Sequence, residues 1–143
     1  MAGLAEARAL YRAYLAEAER VERERKPGEG LFGVGKKPSD DPCHERFATE
    51  LETLLNAFDA QAPESAQVRE LLSYLYLAPK EHPEPRSAFW MLCAVHGLTL
   101  DLTARLNRTD AAALFSLYAE SYPRWDRLPV QQQVYSALKR ASK

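Results

Sequence analysis

A chain of 143 residues is of common single-domain size and is long enough to bury a core without disulfides or a structural metal. Its 46% hydrophobic and 27% charged content excludes wholesale disorder. Nineteen basic residues against twenty acidic ones leave a net charge of −1, which excludes a global field that would hold the chain on nucleic acid or an anionic membrane.

The balance of residue types points to helix. There are 22 alanines and 20 leucines but no isoleucine and six valines. Ala and Leu lose little freedom in a helix, whereas strands favour β-branched residues. Two cysteines, Cys43 and Cys93, allow one disulfide at most, and the Met1-Ala2-Gly3 start lacks the apolar core of a signal peptide. A reduced, cytoplasmic protein is the expectation. No run of about 18 apolar residues is present, so no membrane-spanning segment is expected.

From Gly3 to Lys26, Leu4, Ala7, Tyr11, Tyr14, Ala18 and Val21 recur three and four apart. That spacing predicts one face of a long amphipathic helix, widened by Leu10 and Leu15. Its last turns, ERVERERK, alternate in sign with i,i+4 partners and read as a solvated helix end. The stretch from Pro27 to Phe47 holds four of the six glycines and three of the nine prolines. Asp40-Asp41-Pro42 then restarts the helix, because Asp caps free N–H groups and Pro suits the first helical position. Phe47, Leu51, Leu54, Leu55 and Phe58 form the next buried stripe, which Cys43 extends backwards, with His44 beside it.

Pro63 opens a third helix with Val68, Leu71, Leu72 and Leu75 inward, ending near Ala78-Pro79. Pro79, Pro83 and Pro85 make 79–86 a connector containing His82. Residues 87–96 are apolar nearly all round, which predicts a central helix closed by Gly97. Leu98 to Leu102 alternates like a strand, but no second strand exists to pair with it, so a short helix capped by Thr99 is expected. Thr109-Asp110 begins a helix with Leu114, Phe115, Leu117 and Tyr118 inside. A last helix carries Val130, Val134, Tyr135 and Leu138 and ends in Lys139, Arg140 and Lys143, whose charges suit a helix C-terminus.

Several strings resemble functional motifs. Gly30 to Lys37, GLFGVGKK, matches G-x-x-x-x-G-K, but Lys37 stands where a phosphate loop needs Ser or Thr for Mg²⁺. Gly28, Gly30 and Gly33 match a dinucleotide fingerprint without the strand that should precede it. Nucleotide binding is therefore not expected. The segment 27–41 reads instead as a crossover loop whose glycines hinge it, with Leu31, Phe32 and Val34 as apolar anchors or a partner-binding tip. Cys43, His44, Cys93 and His96 are the constellation with metal-ligand chemistry, since Cys93 and His96 share a helix face and a neighbouring helix would bring Cys43 or His44 for a tetrahedral zinc site. Against it, adjacent helical residues diverge, and Cys and His in helices are commonly packed or hydrogen-bonded. A nucleophilic Cys43 is opposed by Asp40 and Asp41, which raise a thiol pKa. Residues 98–121 have helix-turn-helix spacing, but 111–118 are too apolar to read bases.

The sequence thus predicts one all-α domain over 1–143, a bundle of five to seven helices with the long Gly/Pro-rich loop between the first two. The expected function is a non-enzymatic interaction module binding a protein partner or a second copy in a homodimer, without cofactor, nucleic acid or membrane. The alternatives are a small metal or thiol enzyme using Cys43, Cys93 and His96, and nucleic-acid binding through the C-terminal half.

Overall fold

Segments with apolar residues three and four apart fold as helices in the computed structural model, which describes residues 3–23, 42–81, 94–123 and 127–143. Helix α1 spans Leu4–Arg23, α2 Pro42–Ala60 and α3 Ser65–Glu81. Residues 94–99 are helical and run into a 3-10 helix, Leu100–Arg105. Helices α4, Arg108–Ser121, and α5, Pro129–Ala141, complete the order. The described residues contain no strand, so the fold is all-α.

Helix α3 packs against three other elements, α1, α4 and the 3-10 helix. Its Val68, Leu71, Leu72, Leu75 and Tyr76 are all buried. Each such Leu contributes about 1.5–3 kcal/mol by leaving water. On one side, Ala7, Tyr11 and Tyr14 of α1 meet the Phe47, Leu51, Leu55 and Phe58 stripe of α2. Tyr14 and Phe47 pack with ring centroids 4.7 Å apart. A Cβ at Gly3 would lie 2.7 Å from Cδ2 of Phe58, so only glycine lets the start of α1 come this close to the ring. On the other side α4 and α5 pack together through Ala111, Leu114, Tyr118, Val134 and Leu138.

Several boundaries differ from those the sequence predicts. The helix containing His96 does not close at Gly97 but continues to residue 99, with Gly97 exposed. Thr99 flanks the 3-10 helix without capping it, since its hydroxyl donates backwards to the Val95 carbonyl at 2.7 Å. The N-cap of α4 is Asn107, whose Oδ1 accepts from the Asp110 N–H at 2.7 Å. Leu117 is 45% exposed rather than inside. Helix α3 continues past Ala78 to Glu81, carrying Pro79 in its last turn. Residues 27–41, with Leu31, Phe32 and Val34, lie outside the described residues, as does the remainder of the Pro-rich segment from 82.

Candidate functional site

Three polar arrangements stand out among the described residues. The first surrounds His96, which is 1% exposed. Its ring stacks on Tyr76 at 4.8 Å between centroids and 28°, and it meets Tyr118 at 5.7 Å and the edge of Tyr122 at 5.8 Å. Tyr118 lies in the last turn of α4 and Tyr122 is the residue that caps its carboxyl end, so both rings are held at that end of the helix. The hydroxyls are committed. Thr99 uses its own proton on the Val95 carbonyl, so Tyr76 must be the donor in its 2.9 Å bond to Thr99 Oγ1. Tyr118 donates to the Gln131 carbonyl at 3.1 Å, joining α4 to α5. Tyr122 donates to the Tyr76 carbonyl and Tyr11 to that of Ala78 at 3.1 Å, so hydroxyls from the C-cap of α4 and from α1 converge on the carboxyl end of α3. Pro79, in the same turn, has no N–H for the Leu75 carbonyl.

Burial pushes the Tyr76, Tyr118 and Tyr122 hydroxyls well above the usual tyrosine value. For Tyr118 the neighbouring Tyr122 and Tyr76 add to the effect; for Tyr76 the bond to Thr99 opposes it. Phenols held this way remain protonated donors at neutral pH.

The second arrangement is a latch between the amino ends of α3 and α4. Asp110 Oδ2 accepts from Ser65 Oγ at 2.5 Å and Oδ1 from Arg69 at 2.9 Å. Ser65 Oγ in turn accepts from the Asn107 N–H at 2.8 Å. Asp110 is therefore nearly buried with its charge compensated and its oxygens bonded, which is a stable use of a carboxylate. A related tie joins α2 to the 3-10 helix, where Arg105 reaches Asp59 Oδ1 at 2.5 Å and the Asp59 carbonyl at 3.2 Å.

The third is an open groove of about 790 Å³ between the 3-10 helix and α5. Asp101 and Thr103 lie on one wall, Gln132, Gln133, Ser136 and Arg140 on the other. The side chains of Asp101, Gln133, Ser136 and Arg140 make no hydrogen bond or ion pair among the described residues. The other two are engaged: Thr103 Oγ1 donates to the Leu100 carbonyl at 2.7 Å, and Gln132 Oε1 accepts a long 3.5 Å contact from Arg127.

Of the metal-ligand residues expected from the sequence, His96 is the one whose side chain is described, and it faces tyrosine rings. Cys93 lies outside the described residues, as do the side chains of Cys43 and His44. Among the described residues no group of three or more His, Cys, Asp or Glu side chains is placed to hold a metal ion. No described helix is long and apolar enough to cross a membrane. Compared with protein families, curated proteins and solved structures, the chain matches none.

The tyrosine cluster, the Asp110 latch and the groove all escape a reading of periodicity. A partial signal exists for the first: Tyr76 follows Leu72 by four, and Leu114, Tyr118 and Tyr122 recur at four, so all of them extend core stripes. Nothing local links Ser65 to Asp110 or sets Asp101 and Arg140 along one groove.

Proposed function

We propose that this protein is a non-enzymatic interaction module that engages a protein partner or a second copy of itself. The observation that carries this reading is the location of the committed polar groups. The described buried hydroxyls of Tyr11, Tyr76, Tyr118 and Tyr122, and the Asp110 carboxylate, hold helices together. General acid–base chemistry instead uses groups aimed at a substrate with pKa values near working pH, whereas the Tyr76, Tyr118 and Tyr122 phenols are shifted away from it. Side chains left to engage another molecule line the open groove. The tyrosines of α1 lend no support as partner contacts, since Tyr11 and Tyr14 face the core. The apolar residues Leu31, Phe32 and Val34 of the 27–41 segment are proposed as a second contact, in keeping with the use of apolar and aromatic anchors at interfaces.

Size-exclusion chromatography with light scattering, run alongside chemical crosslinking in a lysate, tests the proposal. A dimer, or a stoichiometric crosslinked protein partner, is expected. A strict monomer that captures nothing overturns it. Elemental analysis of protein purified without chelator is the companion measurement, and stoichiometric zinc would favour a metal site using Cys43, Cys93 and His96 instead.

A further inference from the structure

We infer that the groove between the 3-10 helix and α5 is a binding site for an extended polypeptide segment carrying both an acidic and a basic side chain. This rests on the reading of the protein as an interaction module and assigns that role a place and a partner chemistry. The groove holds one carboxylate, Asp101, and one guanidinium, Arg140, and neither has an ion-pair partner among the described residues. A purely anionic ligand such as a phosphate chain meets Asp101, and a purely cationic one meets Arg140, so a ligand of mixed sign is the complementary choice.

The remaining lining favours a peptide backbone. Gln132 and Gln133 each offer an acceptor oxygen and an amide donor, and Ser136 offers both functions in one hydroxyl. Alternating N–H and C=O groups of an extended chain need that combination, with side-chain contacts then supplying selectivity. Leu100 and Ala137 add apolar wall. A volume of about 790 Å³ is within the range of small-ligand clefts, and being open rather than enclosed it admits a chain that enters and leaves.

The test is selection of displayed random dodecapeptides on the immobilised full chain, followed by fluorescence anisotropy with the synthesised winners. Recovered peptides should contain both an acidic and a basic residue. Arg140→Glu and Asp101→Lys should each weaken them at least about fivefold, and a peptide with the matching charge reversed should regain binding. Both side chains are exposed, so melting curves of the variants should match the parent, and Gln133→Ala serves as a third, uncharged probe of the groove. Recovery of no binders, binders indifferent to all three substitutions, or equal competition by free arginine or glutamate overturns the assignment. Light scattering separates the two claims. If self-association persists in the charge-reversed variants while peptides ignore the groove, the groove assignment alone falls; if the wild type neither associates nor selects peptides, both fall.

Discussion

Tyr122 shows how much of this fold depends on single hydroxyls. Its ring lies against His96 and Tyr118 while its O–H donates to the Tyr76 carbonyl. Tyr122→Phe keeps the ring and removes the donor, so urea denaturation should show a loss of about 1 kcal/mol with an unchanged m-value. An unchanged midpoint would mean that the bond contributes nothing net. Asp110 is the stronger case because two donors converge on it from α3. Asp110→Ala strands Ser65 and Arg69 and should cost about 2–3 kcal/mol, whereas Asp110→Asn keeps an acceptor and should cost less. Equal losses would show that the charge, rather than shape or a neutral acceptor, is what the latch requires. At this scale the sequence revealed many of the buried residues, Leu51, Leu71 and Val134 among them, because burial follows helical period, though Leu117, expected inside, is exposed. It did not reveal the hydrogen-bond partners, because Tyr11 and Ala78 are 67 positions apart and no local rule links them.

At the scale of elements, the helix through His96 tests the reading of glycine as a stop. Glycine ends helices when it adopts a left-handed conformation, but Gly97 lies inside a helical run and faces open space, where an added Cβ would meet nothing within 4 Å. The run persists because Val95, Thr99 and Leu102 on either side are buried, and such packing outweighs a propensity penalty of about 1 kcal/mol. Gly97→Ala should therefore raise stability by about 0.5–1 kcal/mol in thermal melts; a lower melting temperature would show that the glycine is needed for its conformation. Helix α4 illustrates a different limit. Its 111–118 segment is apolar nearly all round, so spacing alone could not choose a face, and Leu117 is exposed while Ala111, Leu114 and Tyr118 are buried. The boundary at Asn107 was equally open, since Asn107, Thr109 and Asp110 are all competent caps.

For the whole molecule, the buried phenols couple folding to alkaline pH. Tyr76, Tyr118 and Tyr122 are held above the ordinary value of 10.0 in the folded chain and return to it on unfolding. Their contribution is therefore fully present below about pH 10 and is lost as pH rises further, because the unfolded state then releases protons that the native state retains. Circular dichroism and tyrosinate absorbance followed together should show exposed phenols ionising first and a later ionisation coincident with loss of helix. Late ionisation without helix loss would contradict this coupling. The all-α class, most of the helical stripes and the start of α2 at Pro42 were legible in the sequence alone, since propensity, period and caps are properties of neighbouring residues. The tertiary structure alone decided which face of α4 is inward, which carbonyls the tyrosine hydroxyls reach and that Asp101 and Arg140 line one groove. Each of these depends on how separate helices meet, and the energies that fix such meetings come from packing between residues distant in the chain.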